Sequence, residues 1–147
     1  MPTTTTDAIA LSFRTAIEGT TPRMIEGQST RTWKFYEGEQ PVRADSRWFK
    51  FSWDGEGDTP DGFMGPLSVD TTLTCSVIVD YGGIPEHRVK IVAVDDMHQL
   101  RDVLNRLKDS GTGLRWVELI GWDYANTDRN QARIVLQYTV RYMKARG

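Results

Sequence analysis

Three acidic residues alternate in a glycine-rich stretch of this chain: Asp54, Glu56 and Asp58. Carboxylates at alternate positions begin the loop that wraps a calcium ion in helix–loop–helix sites. The pattern fails further along, because Thr59 stands where a sharp-turn glycine is required and Gly65 where a bidentate acid is required. We therefore interpret the stretch as a solvated acidic loop.

A second group of potential metal ligands comprises His87, Asp95, Asp96 and His98. The two aspartates are better explained as caps of a helix that follows them, since a short carboxylate accepts an unpaired backbone N–H at a helix start. The two histidines lack the paired spacing typical of metal sites. The sequence predicts no metal site.

Nucleophilic and cofactor chemistry have equally little support. The single cysteine, Cys75, falls on the apolar face of a predicted strand, which favours a buried side chain over a reactive thiol. No G-x-S-x-G motif occurs, and the glycines at 111 and 113 follow a predicted helix rather than a strand, so they are interpreted as a helix end. We predict no catalytic residue, no cofactor-binding residue and no enzyme activity.

The most regular elements are two long strands with two-residue alternation. Residues 67–81 place Leu67, Leu73, Cys75, Val77, Val79 and Tyr81 on one face, and residues 131–143 place Ala132, Ile134, Leu136, Tyr138, Val140 and Tyr142 on one face. The other faces carry Ser68, Asp70, Thr72, Thr74 and Asp80 on the first strand and Arg133, Gln137 and Arg141 on the second. Alternation predicts a sheet with one buried face, and the opposite charges predict pairs across the sheet or across a subunit boundary.

Two amphipathic helices are expected beside this sheet. One covers 7–18, capped by Thr6 or Asp7 and ended by Gly19 in a left-handed conformation. The other covers 97–107, capped by Asp95 or Asp96, and residues 87–94 before it alternate like a strand or an extended connection.

Shorter strands complete the prediction. They are expected at 30–36, at 47–53 and at 114–122, with a polar turn at 123–130. Strand runs separated by helices, without a βαβ rhythm, predict an α+β fold with a mainly antiparallel sheet, two long strands and two packed helices. We expect one domain over 1–147, with a flexible loop at 54–66.

Aromatic side chains cluster between residues 33 and 53. If Phe49, Phe51 and Trp53 face the core, Trp48 faces outward or lies under a neighbouring loop. With lysines and arginines interleaved, the cluster could stack on single-stranded nucleic acid, but the net charge of -2 disfavours this interpretation. We interpret it as core and protein interface.

No segment reaches the roughly 18 consecutive apolar residues that a membrane span needs, and the amino terminus lacks the features of a signal peptide. We expect synthesis in the cytoplasm and no membrane partner.

The order of elements resembles the tail terminator (tail completion) proteins of long-tailed bacteriophages. The resemblance is carried by 68–142: the strand TLTCSVIV at 72–79, the helix at 97–107 and the closing strand ARIVLQYTV at 132–140. It implies a virion protein that forms a ring, usually a hexamer, which ends the tail tube and joins tail to head. The implied partners are further copies of the chain, the tail-tube protein and head–tail connector proteins, with DNA only as passing cargo.

The residues that we expect at interfaces are Trp48, Phe63, Met64, Arg133 and Arg141. Other head–tail connector, neck or tail-tube roles remain alternatives. A small α+β enzyme or ligand-binding domain is a further alternative, with its pocket between the sheet and the helix at 97–107.

Overall fold

A computed structural model describes residues 3–22, 33–37, 47–60, 62, 64–65, 67–82, 86–109, 113–128 and 131–145. Its helices are α1 (Thr6–Glu18), α2 (Glu86–Asn105) and a short 3-10 helix (Arg106–Asp109). Its strands are β1 (Trp33–Phe35), β2 (Arg47–Asp58), β3 (Ser68–Gly82), β4 (Leu114–Asp128) and β5 (Gln131–Ala145). The predicted α+β class is confirmed.

The five strands form one sheet in the order β1-β2-β3-β5-β4. All pairs are antiparallel except β1 with β2, which is parallel and involves only Arg47–Phe49 of β2. The two strands with the clearest alternation, β3 and β5, are direct neighbours over their full length, with Asp80 opposite Arg133 and Thr72 opposite Arg141. The register therefore places the predicted opposite charges on one face of one sheet.

The buried face of the sheet packs against α1 and α2. From β3 and β5 it presents Leu73, Cys75, Val77 and Val79 together with Ile134, Leu136, Tyr138 and Val140, all within the core. The apolar stripe of α1 (Ile9, Phe13 and Ile17) is also buried. The inward faces that alternation predicted for these strands are confirmed. Leu67 is an exception: it precedes the first residue of β3 and is exposed.

Helix α1 begins one residue earlier than predicted. Thr5 is the cap, because its hydroxyl accepts a hydrogen bond from the Ala8 N–H at 3.2 Å. Gly19 ends the helix in a right-handed conformation, with φ of -78°, so the expected left-handed ending is wrong.

Helix α2 differs more from the prediction. It begins at Glu86 and includes residues 87–94, which were expected to be extended. Its buried positions Val89, Ala93, Met97, Leu100 and Leu104 follow helical spacing over four turns. Asp95 and Asp96 consequently lie in the middle of the helix and cap nothing.

Strands β2 and β4 are longer than predicted. β2 continues through Asp58, with a bulge between Trp53 and Gly55, so the acidic stretch at 54–58 is strand rather than loop. β4 continues to Asp128 and includes most of the expected polar turn. Both extensions exist because a neighbouring strand pairs with them. Among the described residues, no helix is both long and apolar enough to cross a membrane.

Candidate functional site

An open groove of about 600 Å³ lies between α1 and the β1–β2 side of the sheet. Helix α1 contributes Ala10, Leu11 and Arg14 to its lining. Residues 35–37 and 50–53, together with Ile78, line the rest. This groove lies on α1, and the pocket expected between the sheet and the helix at 97–107 stays a prediction.

The groove lies beside the part of β2 that follows its pairing with β1. Within the described ranges, β2 beyond Phe49 has β3 as its single strand neighbour. Tyr36 donates its N–H to the Phe49 carbonyl at 3.0 Å, so the backbone polar groups of Phe49 point toward β1. Alternate residues of a strand direct these groups to the same side, so those of Phe51 and Trp53 point to the open edge.

Aromatic rings form the wall of the groove. Phe51 contacts Phe35 and Trp53, each with ring centroids 5.5 Å apart, and Phe13 of α1 at 6.1 Å. Phe51 and Trp53 remain partly exposed while packing against the core. Their side chains are therefore fixed in position by tertiary contacts and still accessible from the groove.

Two cations stand near this wall. The Arg14 guanidinium lies 4.5 Å from the Phe35 ring centroid and pairs with Glu18 at 2.9 Å. The Lys50 ammonium lies 5.4 Å from the Tyr36 ring centroid. Cations at this distance from a ring face are held by the ring quadrupole.

The far half of the β2 edge is acidic. Asp54, Glu56 and Asp58 are exposed, and Gly55 and Gly57 leave space beside the backbone, where an added Cβ would meet nothing within 4 Å. Asp54 accepts hydrogen bonds from the hydroxyls of Ser52 and Ser76. The open edge thus combines outward backbone groups, an apolar wall and negative charge.

Glu56 has a partner from each end of the chain. The Lys144 ammonium donates to Oε1 at 2.6 Å and the Thr6 hydroxyl to Oε2 at 2.7 Å. These contacts, the lysine first, lower the pKa of Glu56 from 4.5 to about 2. The carboxylate thereby connects α1, β2 and β5.

We expect Glu56 to stabilise the fold above pH 4.5 and to lose this contribution as the pH falls through about 2, because its pKa is lower in the folded state. Glu56→Gln should reduce the loss of unfolding free energy over that pH interval, as measured by urea denaturation. The reduction should be no more than about 1 kcal/mol because the pair is exposed. Lys144→Met should produce the same flattening. An unchanged slope in both variants would contradict this account.

The two arginines expected at interfaces are paired within the chain. Arg133 donates from Nε to Asp80 at 2.7 Å, and Arg141 donates from Nη2 to Asp70 at 2.9 Å. Both aspartates are nearly inaccessible, at 3% and 1% exposure. The opposite charges therefore pair across the sheet within one chain. The face that was predicted to be solvated is partly covered.

Further groups complete these two networks. The Tyr36 hydroxyl donates to Asp80, and burial together with this contact raises the pKa of Tyr36. Asp70 also accepts from the Thr59 hydroxyl at 3.2 Å and from Arg115 at 3.4 Å. Sequence reasoning missed the burial of the aspartates, because Tyr36 and Thr59 come from segments distant from β3 and β5.

We expect Arg133→Ala to lower the free energy of unfolding by about 1–3 kcal/mol, because it removes a charged donor from a buried carboxylate. Urea denaturation followed by tryptophan fluorescence measures this. Arg101→Ala is the matched control, since Arg101 is half-exposed and its ion pair with the neighbouring Asp102 lies at the surface. An equally small loss of unfolding free energy in both variants would show that Arg133 does not stabilise the fold.

The other expected interface residues have different surroundings. Trp48 is partly exposed on the outer face, 6.3 Å from the Tyr36 ring and 5.5 Å from the Lys34 ammonium. Its predicted outward orientation is confirmed. Met64 is 57% exposed and pairs with Val69 through an isolated bridge. Phe63 lies outside the described residues.

Of the candidate metal ligands, the His87 side chain lies outside the described part of the structure. Asp96 is fully buried and accepts from Arg47 Nε at 2.8 Å and from the Tyr81 hydroxyl at 2.7 Å. No group of three or more potential ligands occurs in the part of the chain that the structure describes. The Cys75 side chain is buried on the core-facing side of β3, as expected of a core residue. Burial raises the pKa of its thiol to about 12.

No family model matches the sequence, and no curated protein matches it.

Proposed function

We propose that this chain is a structural virion protein of a tailed bacteriophage. In this role it forms a ring, with six copies expected, that terminates the tail tube and joins tail to head. It would be assembled in the host cytoplasm and end in the virion, with the tail-tube protein and head–tail connector proteins as partners.

The element order supports this proposal. The chain has an amino-terminal helix (α1), a long central strand (β3), an amphipathic helix (α2) and a long closing strand (β5). This is the layout on which the resemblance to tail terminator proteins depends. The net charge of -2 also suits a ring through which DNA passes, because phosphates are attracted by basic surfaces.

The observation that carries the proposal is the state of the two sheet edges. In the described strands, β2 beyond Phe49 and the whole of β4 have one strand neighbour each. Long strands with unpaired backbone groups are templates for pairing with another chain. A ring needs two different surfaces on each subunit, and the two edges supply them.

The test is assembly with tail tubes. Purified chain mixed with purified tail tubes should appear at the tube ends in negative-stain micrographs and prevent further tube growth. Chain that neither binds tube ends nor alters tube length would overturn the proposal. Binding along the tube side or incorporation into the tube would favour a neck or tail-tube role instead.

A second candidate function, a ligand-binding domain or enzyme, is favoured by the groove alone. Its volume of about 600 Å³ lies within the range of small-molecule sites. Thermal unfolding with a panel of nucleotides and aromatic carboxylates tests it. A melting shift that is lost in Ser52→Trp, which narrows the groove, would support this function, and an unchanged melting temperature with every compound would oppose it.

A further inference from the structure

We propose that Arg115 and Arg141 form a binding site for a phosphate group, either free phosphate or the terminal phosphate of a phosphomonoester. The site lies on the outer face of the sheet, defined as the face opposite α1 and α2. Arg141 lies between the buried Val140 and Tyr142 of β5 and therefore points to this face. The site consists of side chains rather than strand edges, so it is independent of the ring contact proposed above.

A bulge in β4 brings a second arginine and a tryptophan to the same place. The register of β4 and β5 shifts between Leu114, which is buried, and Trp116. Alternation from Leu114 places Arg115 on the outer face and would turn Trp116 toward the core. The shift instead places Trp116 opposite Arg141, so Arg115 and Trp116 are both on the outer face. Bulges redirect side chains in this way beside many binding sites.

Both arginines donate to one oxygen of one buried carboxylate. Arg141 Nη2 lies 2.9 Å and Arg115 Nη1 lies 3.4 Å from Asp70 Oδ2, and the Thr59 hydroxyl donates to Oδ1. Asp70 is 1% exposed, whereas the side chains of Arg115 and Arg141 are 47% and 42% exposed. Within the described ranges, Asp70 is the single carboxylate that pairs with either arginine. Two positive charges therefore share one negative charge, and the exposed groups carry the excess.

The arrangement of the two guanidiniums suits a tetrahedral anion. Both approach the same oxygen of Asp70, so one ligand can reach both side chains. Each guanidinium keeps N–H groups that donate to no other carboxylate of the described residues. Guanidiniums bind carboxylates and phosphates through paired N–H donors. A carboxylate has two oxygens, enough for one such fork, whereas a phosphate has further oxygens for the second guanidinium.

The neighbouring side chains add one cation and one carboxylate. The Lys108 ammonium lies 5.3 Å from the Trp116 ring centroid, and Trp116 Nε1 donates to Glu118 Oε2 at 3.2 Å. Together with the two arginines and Asp70, these groups carry three positive and two negative charges. This part of the outer face is thus positive although the chain has a net charge of -2, and a positive surface raises the local concentration of anions.

The experiment is a titration of the full chain with sodium phosphate at constant ionic strength, followed by the NMR signals of the arginine Nε–H groups. We expect saturable shifts of the Arg115 and Arg141 signals. Acetate, titrated in the same way, should bind at least tenfold more weakly than phosphate. Absence of a saturable shift at either arginine, or acetate binding as tight as that of phosphate, would overturn the inference.

Arg115→Gln is the variant of choice, because its contact with Asp70 is the longer of the two and Arg141 stays in place. It should weaken phosphate binding about tenfold, since a hydrogen bond between charged groups is lost. Arg101→Gln is the matched control: Arg101 is 48% exposed and also lies 3.4 Å from a carboxylate oxygen, that of Asp102. It should change binding less than twofold. Equal losses in both variants would reduce the effect to net charge and overturn the inference.

Arg141→Lys tests the second arginine without removing its charge from Asp70. Lysine lacks the planar fork, so phosphate binding should weaken while the circular dichroism spectrum stays that of the parent chain. Unchanged phosphate binding in this folded variant would contradict a role for the Arg141 guanidinium.

Methyl phosphate distinguishes the two sources of the phosphate group. Binding as tight as that of inorganic phosphate would assign the site to phosphomonoesters, and binding at least tenfold weaker would assign it to free phosphate.

Discussion

Arg47→Met is expected to lower the free energy of unfolding by about 3–5 kcal/mol near pH 7. Arg47 is 2% exposed, and its guanidinium lies 5.6 Å from the Trp33 ring centroid and pairs with Asp96, which has no exposed surface. Removal of the arginine leaves a carboxylate buried without its counter-charge. Urea denaturation followed by far-UV circular dichroism measures the loss.

The pH dependence of this variant has a definite sign. Burial raises the pKa of Asp96 from 3.8 to about 6, against the opposing effects of Arg47 and Tyr81. The contribution of Asp96 to stability is therefore complete below pH 3.8 and is lost as the pH rises through about 6. Without Arg47 the pKa rises further, so the destabilisation by Arg47→Met should be smaller near pH 5 than near pH 7.

The double variant Arg47→Met/Asp96→Leu is the control for this prediction. Well-packed apolar residues in place of a buried ion pair commonly restore stability, so the double variant should recover most of the loss. A single variant that loses less than about 1 kcal/mol, or a double variant that is no better than the single, would contradict the role assigned to this pair.

Phe13→Ala is expected to lower the free energy of unfolding by about 3–5 kcal/mol. Phe13 is fully buried where α1 meets the sheet, with its ring centroid 6.1 Å from Phe51, 6.3 Å from Trp53 and 6.4 Å from Tyr138. Alanine would leave a cavity under the groove wall. Urea denaturation measures the change, and hydrogen exchange in α1 should accelerate.

Leu11→Ala is the matched control, because Leu11 lies on the same helix but is 65% exposed. We expect its stability to stay within about 0.5 kcal/mol of the parent chain. Similar losses in the two variants would mean that α1 does not pack as described.

The faces of β3 and β5 could be predicted from sequence because alternation is a local property. The same rule led to an error at residues 87–94, where Val89, Ile91 and Ala93 fit a strand over a short window. These residues are helical because Val89 and Ala93 continue the buried stripe of α2. A window of four turns distinguishes the two periods, whereas the short window at 87–94 does not.

The remaining differences depend on contacts between distant segments. From sequence, Asp96 is predicted to cap a helix. In the structure it lies in the core, where it pairs with Arg47, which is 49 residues earlier in the chain. Residues 54–58 have loop-like composition and are a strand because β3 pairs with them. The strand predicted at 30–36 is described only from residue 33, where β1 covers Trp33–Phe35; residues 30–32 lie outside the described residues.

The most direct test of the account is the mass of the purified chain by light scattering, alone and after addition of purified tail tubes. We expect a closed assembly of about six chains of 16.7 kDa each, either free in solution or bound at the tube ends. A species of 16.7 kDa at every concentration, with no mass gained by the tubes, would contradict it.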